Sequence, residues 1–473
     1  MSYKDFQSSI ELASERITNA VEKDQDIILV GPSTVDSLIA SSILLNVINH
    51  IGGRAMIRIA HQYYDENLLR LKDHNLVVVV DYGINASKDV NAAYGNNCLI
   101  INHQNMSFEE KVTDNNESIL NPWKNGINGY AEISSGGISY LVAKHLHKEA
   151  TSLNPLAITS ALADNQDVGE KKSLVGLNQT ILEEGKNLRS VVTDIDLLLF
   201  AKDKSVHESI SETLVPYIHG LTFNPKNCIK ILEEEGLLLK INQKWKKCIE
   251  MTQEEKFIIL RAIAKYLQDN EASQNIETSL IGVSYLFPKE KMGSLFYDGR
   301  LLAFYLNCCL SSRKHGLGIS ICLGDRSRAV RESIENMANC KTNLQSYIQR
   351  IFHEGWRIST ENNLDVLINC DNIVDLDHLN ILCQVLATNP QFKKRVLILK
   401  RDDEDGKTIY FLRSGRYDTL LDIGEIAKES VRNVTGYSEG NNVYAFCIVP
   451  SSHNEKFLST IRRYMSIDKN ESK

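Results

Sequence analysis

The sequence has little proline, no C-x-x-C pair and no surplus of positive charge. Only 8 of its 473 residues are proline. No Gly/Ser linker, internal repeat or low-complexity tract divides the chain. The 53 Lys and Arg residues are outnumbered by 60 Asp and Glu, which gives a formal net charge of −7. This composition excludes a strong cationic field over the whole chain, of the kind that gathers nucleic acid without sequence preference.

The cysteines and the apolar segments indicate the compartment. The 10 cysteines are scattered without the spacing of a zinc site, so we predict reduced, mostly buried thiols in a cytoplasmic protein. No apolar run approaches the ~20 residues of a membrane span. The N-terminus reads as a polar amphipathic helix and not as a signal peptide. We therefore expect a soluble intracellular protein that makes no membrane contact.

The first two hundred residues alternate β-branched runs with amphipathic stretches, which is typical of a parallel sheet wrapped by helices. A helix is predicted over residues 37–53, where a Gly pair stops it. The predicted strands are 26–31, 54–60, 76–83 and 98–103. The fold class is therefore α/β.

In the rest of the chain the predicted secondary structure changes twice. After about residue 195 helical patterns dominate, and strand patterns return later, at 316–325, 364–370, 395–402 and 408–414, before a final helix. We predict an α/β domain over 1–195 and a mostly helical insertion over 196–300. A connector helix and a second α/β accessory domain would follow over 301–473.

Acidic and imidazole side chains follow the predicted strands of the first domain. Asp36 follows the first strand, Asp81 ends the third, and His103 follows the fourth, while Asp164 and Asp167 lie in a later ALADNQD segment. Ligands of an open parallel sheet bind beyond the carboxyl ends of its strands. Carboxylates with one imidazole at that edge would suit Mn²⁺ or Mg²⁺.

Each of these residues also has a purely structural interpretation. Asp36 could cap the helix that begins near Ser37, and Asp81 could seed a turn before Gly83. The acids could also form a hydrogen-bonded polar cluster around a charged His103 without any metal. The sequence leaves both interpretations open.

Three further segments have features that are found in ligand sites. GPSTVDS (31–37) follows a strand, but it lacks the second Gly and the Lys of a nucleotide-binding P-loop. SSGGISY (134–140) could cradle an anion at a helix N-terminus or could simply allow tight packing. KHLH (144–147) is interpreted as a solvated helix face and not as a metal pair.

The order of these segments resembles the DHH phosphoesterase superfamily, in particular its RecJ-like branch and the archaeal RecJ proteins that associate with GINS. The likeness runs along nearly the whole chain. The family's first motif, H-x-D-x-D, falls on residues 32–36, and its second on VVVVDYG (77–83). Its Asp-His-His motif falls on residues 102–104, and the fourth motif falls on ALADNQD (161–167).

The resemblance implies a site for two metal ions, and this chain keeps the ligands of one of them. One ion would depend on Pro32, Thr34 and Asp81, so we expect it to be lost with its charged ligands. Asn102 and Gln104 replace two further residues of the family pattern, which leaves no intact catalytic set. The ligands of the other ion are all present: Asp36, Asp81, His103 and Asp164.

The C-terminal part resembles the family's substrate-binding accessory domain. Arg413 falls at a position that would face phosphate. The family's Gly-Gly-Gly-His loop falls on residues 438–441, where Gly440 matches, Asn441 takes the last position and Glu439 adds a repulsive carboxylate. We therefore expect only weak contact with nucleic acid here.

The resemblance implies a non-enzymatic subunit of archaeal DNA replication or repair, comparable in kind to the cell-division-cycle RecJ relative of the eukaryotic replicative helicase. It would bind GINS, and through it the MCM helicase, would need no cofactor and would hold at most one Mn²⁺ or Mg²⁺. The helical insertion is the expected partner surface, and its basic-aromatic run over 244–247 is interpreted as a solvated helix end. Two alternatives remain: a residual Mn²⁺-dependent single-strand exonuclease or small phosphodiesterase, and a regulatory partner of an active RecJ paralogue or RNA-processing enzyme.

Overall fold

The computed structural model describes residues 3–60, 75–82, 93–105, 118–270, 276–360, 364–389, 392, 395–403, 405–415 and 421–471. The chain divides into two compact units. The first comprises residues 1–193, 285–291 and 296–338, and the second 194–284, 292–295 and 339–473. No helix within these described ranges is both long and apolar enough to cross a membrane.

A five-stranded parallel sheet forms the centre of the first unit, in the order β2-β1-β3-β4-β5. All five residues of the β3 sequence LVVVV are buried, because a parallel sheet is covered on both faces. The four predicted strands are confirmed. The strands are β1 (Asp26–Gly31), β2 (Arg54–Ile59), β3 (Leu76–Val80), β4 (Cys98–Ile101) and β5 (Ile119–Leu120).

Helices pack around this sheet. The predicted helix after β1 is confirmed, and its Ser, Ala and Ile side chains are buried over most of its length. It packs against the helix that begins at Ser135. The helices of this region are α1 (Tyr3–Glu22), α2 (Val35–His50), α3 (Ser135–Leu146), α4 (Asn154–Ala163) and α5 (Gly176–Asn187).

The segment after residue 195 is mostly helical and has its own apolar core, which includes Ile210, Ile259 and Ile263. Its elements are β6 (Val192–Leu197), α6 (Val206–Glu212), α7 (Pro225–Glu234), β7 (Lys240–Ile241), β8 (Lys244–Trp245), α8 (Gln253–Asp269), α9 (Ile276–Leu280) and β9 (Ile281–Leu286). Strands β6 and β9 pair with each other.

One prediction in this segment was wrong, because residues 244–247 do not form a helix end. Lys244 and Trp245 form β8, which pairs with β7 in a hairpin. The turn between the strands has Asn242 and Gln243 at positive φ, as a tight hairpin turn requires. The usual Asn-Gly signal is missing, so the sequence pattern alone favoured a continuous helix.

The strand predicted over residues 316–325 was also wrong. The structure has α10 (Gly299–Ser311), α11 (His315–Cys322) and α12 (Arg328–His353) in this region. A short apolar run has no period that separates a buried strand from a buried helix. Here α11 packs against α2, and a Cβ at Gly318 would lie 2.9 Å from Leu38. Close helix packing therefore explains the composition of this segment.

A six-stranded mixed sheet lies in the second unit, in the order β10-β11-β12-β13-β15-β14. The strand predictions over 364–370, 395–402 and 408–414 are confirmed, as is the last helix. The strands are β10 (Ile358–Ser359), β11 (Asp365–Asn369), β12 (Val396–Asp402), β13 (Lys407–Ser414), β14 (Tyr437–Gly440) and β15 (Tyr444–Pro450). The helices are α13 (Leu379–Ala387), α14 (Ile423–Arg432) and α15 (Asn454–Glu471).

The observed fold class is therefore α/β, as predicted. All ten cysteines are buried free thiols, which also agrees with the prediction from their spacing.

Candidate functional site

The four predicted ligands come together at the carboxyl edge of the parallel sheet. Asp36 lies in the first turn of α2, Asp81 follows β3, His103 lies two residues after β4, and Asp164 caps the C-terminus of α4. None is more than 9% exposed. The His103 ring lies between the acids, with Nδ1 3.2 Å from Asp36 Oδ2 and 3.3 Å from Asp81 Oδ1. Its Nε2 lies 3.0 Å from Asp164 Oδ2.

The Asp36 carboxylate accepts hydrogen bonds at the N-terminus of α3, a helix that begins 99 positions later in the sequence. The backbone N–H of Ser135 donates to Oδ2 at 2.8 Å, and that of Gly136 donates to Oδ1 at 2.7 Å. The Ser160 hydroxyl also donates to Oδ1. The SSGGISY segment is thus an anion cradle whose anion belongs to the protein itself. Asp36 does not cap its own helix, since Thr34 is the N-cap of α2.

Thr34, at the N-terminus of α2, is hydrogen-bonded to Asp81. Its hydroxyl accepts from the backbone N–H of Ser37 at 3.1 Å and donates to Asp81 Oδ2 at 2.6 Å. The Ser135 hydroxyl donates to the other Asp81 oxygen at 3.0 Å. An ionised carboxylate at position 34 could not donate and would repel Asp81. The neighbouring Pro32 has no side-chain ligand atom, and its carbonyl accepts from the backbone N–H of Thr34.

The electrostatics of the cluster favour a charged imidazole. Burial alone would lower the pKa of His103, but the charge and hydrogen bond of Asp164, with the hydrogen bonds of Asp36 and Asp81, raise it well above its usual value. Burial alone would raise the pKa of Asp36, but the hydrogen bond and charge of His103 hold it below its usual value. Burial, followed by repulsion from Asp36, raises the pKa of Asp81 to about 6.

Asn102 and Gln104, which flank His103, are tied to the chain through Asn121. The Asn102 side chain donates to the carbonyl of Tyr82 at 3.2 Å and accepts from the Asn121 amide. The same Asn121 amide donates to the carbonyl of Gln104 at 3.0 Å. Asn102 therefore holds the main chain beside His103, which is a structural role that a carboxylate acceptor could not fill in full.

Asp164 is held from its other side by a chain of amides. Gln166 donates to Asp164 Oδ2 at 3.0 Å and accepts from Asn178 at 2.6 Å. Asp167 does not join the cluster, because its carboxylate pairs with the half-buried guanidinium of Arg300 at 2.6 Å. The ALADNQD segment thus contributes one acid to the cluster and one to a separate ion pair.

Three residues of the accessory sheet were predicted to contact nucleic acid. Arg413 lies on β13 opposite Leu397 and Tyr444, is 8% exposed, and has its guanidinium carbon 5.8 Å from the centre of the Tyr444 ring. Gly440 ends β14, where a Cβ would lie 2.3 Å from the Tyr444 carbonyl. The Asn441 side chain accepts from the backbone N–H groups of Val443 and Tyr444. The segment predicted to correspond to a nucleic-acid loop is thus a strand end and a tight turn.

The donor set fits one divalent ion. One ligand atom each from Asp36, Asp81 and His103 lie within 4.8 Å of one another. Carboxylate oxygens with one imidazole nitrogen are suitable ligands for Mn²⁺. His103 Nδ1 would have to lose its proton to ligate, while Asp164 would hold the N–H at Nε2, which is the usual arrangement of a ligating histidine and its supporting carboxylate.

Sequence reasoning missed most of the donors that satisfy these acids. The Ser135-Gly136 pair was signalled by its position before a helix. Ser160, Asn121 and Gln166 carried no signal, because the residues they contact in the cluster or its flanks lie 124, 19 and 2 positions away, without a fixed spacing. Only the folded chain reveals that these groups converge.

Comparison of the sequence with known proteins gives little information about function. No protein-family model matches the chain. A curated but uncharacterised protein of Methanocaldococcus jannaschii is 28% identical over 229 residues, which is 48% of this chain and 47% of that protein. The chain thus matches about half the length of this curated relative.

Solved structures match over more of the chain. CDC45 from Entamoeba histolytica superposes with a TM-score of 0.62 at 14% identity, covering 97% of this chain and 99% of that one. RecJ from Thermus thermophilus, in complex with Mn²⁺, gives 0.57 at 13% identity over 97% of this chain and 55% of that one. The DHH domain of a protein from a family of ribosomal proteins gives 0.52 at 13% identity, over 98% and 92%. The chain therefore has the fold shared by CDC45, RecJ and DHH domains.

Proposed function

We propose that this chain is a catalytically degenerate RecJ-like protein that acts as a non-enzymatic subunit in archaeal DNA replication or repair. The observation that carries the proposal is the hydrogen bond from Thr34 to Asp81. The RecJ resemblance leads us to expect a charged metal ligand at position 34, and the residue found there is a donor to the remaining acid. A hydroxyl that donates to Asp81 does not supply the negative charge that a second ion needs.

Hydrolysis by two metal ions depends on both of them, since one activates water and the pair stabilises the attacking and leaving oxygens. In this chain Asp36, Asp81 and His103 could hold one ion, which would supply Lewis-acid chemistry alone. The acids are otherwise satisfied by Ser135, Gly136 and other donors of the chain. We therefore expect no turnover of phosphodiesters, with or without Mn²⁺.

We propose GINS as the partner, and MCM through it, with the helical segment of the second unit as the contact surface. Support comes from the CDC45 likeness, which spans nearly all of both chains. Further support comes from large apolar side chains within residues 238–257 that are each at least 40% exposed: Leu238, Ile241, Trp245, Ile249 and Phe257. Five such side chains within twenty residues of sequence are the basis for placing the contact here, since exposed apolar patches mark interaction sites.

Weak contact with single-stranded nucleic acid is proposed at Arg413. Its burial beside Tyr444 leaves little of the guanidinium accessible, and the side-chain oxygen of Asn441 is already used by the main chain. The net charge of −7 adds no general attraction for phosphate. Binding through this one contact should weaken only modestly with salt, with a slope of log affinity against log salt of about −0.7 on a single strand.

The partner is tested with purified archaeal GINS and the full chain by size-exclusion chromatography and calorimetry. We expect a stable complex that is weakened at least about tenfold by Ile241→Ser with Phe257→Ser, because interface centres are apolar. Leu12→Ser, which removes an exposed apolar side chain of α1, is the matched control. Absence of a complex with the unaltered chain would overturn the partner proposal.

A second candidate function is a residual Mn²⁺-dependent single-strand exonuclease or small phosphodiesterase. It is favoured by the close approach of the Asp36, Asp81 and His103 ligand atoms, which could hold one ion. Labelled single-stranded DNA, RNA and short oligonucleotides should be incubated with the chain and Mn²⁺. Products that disappear in Asp81→Asn would establish the enzyme and reject the non-enzymatic proposal.

A further inference from the structure

A second group of potential metal ligands lies on the surface of the first unit, apart from the buried cluster. His50 is the last residue of α2, and His147 is the C-cap of α3. Glu149 lies in the short 3₁₀ helix Lys148–Leu153 that follows. The two imidazole ring centres are 4.4 Å apart with 52° between their planes, and His50 Nε2 is 3.5 Å from Glu149 Oε2.

The backbone fixes these three positions before any ligand binds. Helices α2 and α3 pack against each other along the first unit. The backbone N–H of His147 donates to the carbonyl of Ala143 at 2.9 Å, and the His147 carbonyl accepts from Ala150 at 3.0 Å. The three ligand-bearing side chains are therefore carried on a backbone that is already in place.

The chemistry of the group suits a borderline divalent cation. One ligand atom from each of the three side chains lies within 4.8 Å of the other two. Two imidazoles and one carboxylate are a common set of protein ligands for Zn²⁺, with water in the fourth position. The C-terminal ends of α2 and α3 also point negative dipole ends towards the group. The cation on the preceding turn, Lys144, is paired with Glu184 at 2.9 Å.

From this geometry we infer that His50, His147 and Glu149 form a surface site for Zn²⁺ or a similar divalent cation. The ion joins the end of α2, which bears Asp36 in its first turn, to the end of α3, which donates to Asp36 from its first turn. Binding therefore stabilises the pair of helices that position the buried cluster. The inference does not depend on the proposed partner or on the absence of hydrolysis.

Calorimetric titration of the full chain with Zn²⁺ alone tests the site. We expect a binding event that weakens at least about tenfold in His50→Ala and in His147→Ala, since loss of even a supporting residue costs that much at metal sites, whereas any event at the buried cluster would be unchanged in both variants. Glu149→Gln should weaken it as well. All three side chains are partly or fully exposed, so the variants should fold.

The matched control is His145→Ala, which removes an exposed imidazole from the same helix without touching the group. Thermal unfolding supplies a second readout, in which Zn²⁺ raises the melting temperature of the unaltered chain and of His145→Ala but not that of His147→Ala. A Zn²⁺ isotherm that is unchanged in both His50→Ala and His147→Ala would overturn the inference. So would an equal loss in His145→Ala.

Discussion

The buried acids of the first unit and the hairpin segment of the second unit differ in where their unusual side chains are satisfied. Around His103 every acid receives hydrogen bonds or ion pairs from within the chain, although all are removed from water. On the β7–β8 hairpin and on α8, apolar side chains such as Ile241 and Phe257 remain exposed. The acids of the first region find their hydrogen-bond partners within the chain, whereas apolar side chains of the second region are left in contact with solvent. The difference is the basis on which we propose a stabilising role for the first region and partner contact for the second.

The largest expected effect comes from breaking the buried cluster at Asp36. Its carboxylate receives two backbone N–H groups, one hydroxyl and the His103 ring, and an amide cannot accept all of them. We expect Asp36→Asn to reduce the free energy of unfolding of the first unit by about 4 kcal/mol, as for other broken buried ion pairs. Chemical denaturation followed by tryptophan fluorescence measures the change.

Trp123 is the natural probe for that experiment, because its indole N–H donates to the His103 carbonyl at 2.8 Å. The other two tryptophans, Trp245 and Trp356, are replaced by Phe in the background used. The matched control is Asp24→Asn, which breaks the exposed pair with Arg54 and should cost less than about 1 kcal/mol. Equal losses in the two variants would contradict the contrast between buried and exposed charge.

A somewhat smaller effect is expected from pH. Because the pKa of Asp81 is raised from 3.8 to about 6, the folded chain binds more protons than the unfolded chain between these values. The contribution of Asp81 to stability should therefore fall by about 3 kcal/mol as pH rises from about 4 to about 6, whereas carboxylates with a lowered pKa, such as Asp36, contribute a rise with pH in the acid range. The difference in unfolding free energy between the unaltered chain and Asp81→Asn isolates the Asp81 contribution and should fall over this interval. A difference that stays level would show that Asp81 ionises normally.

His103 adds a second loss of stability, in the same direction, at higher pH. Its pKa is raised in the folded state, so its contribution is fully present below the unfolded value of about 6.5 and is lost as pH rises through the folded value. The unfolding free energy should therefore fall again as pH rises above about 6.5, and His103→Gln should lack that fall.

The smallest effect on stability is expected from the exposed side chains of the β7–β8 hairpin and α8. Ile241→Ser and Phe257→Ser replace exposed side chains, and each should change the free energy of unfolding by less than about 0.5 kcal/mol. If the proposed partnership holds, their effect should appear in the affinity for GINS. A large loss of stability would mean that these side chains pack within the chain, which would remove the contrast between the two regions.

The sequence predicted the sheet and the edge at which Asp36, Asp81, His103 and Asp164 meet, because β-branched runs and strand ends have local signatures. It could not predict how the acids are satisfied. Ser160 and Asp36 are 124 positions apart, and their hydrogen bond depends on the packing of α4 against α2. It also failed at α11 and at the hairpin, where an apolar run without period and a turn without glycine left the choice to tertiary packing.

The protonation of His103 tests the central claim. That claim is that the acids of this site are satisfied by charges and hydrogen-bond donors of the chain itself. Nuclear magnetic resonance of the chain labelled with ¹⁵N-histidine reports both ring nitrogens, and His103→Gln assigns the signal among the 12 histidines. At pH 7 without added metal, the account predicts protons on both Nδ1 and Nε2, in contact with Asp36, Asp81 and Asp164. A neutral His103 ring with one unprotonated nitrogen, as a vacant metal ligand would show, would contradict it.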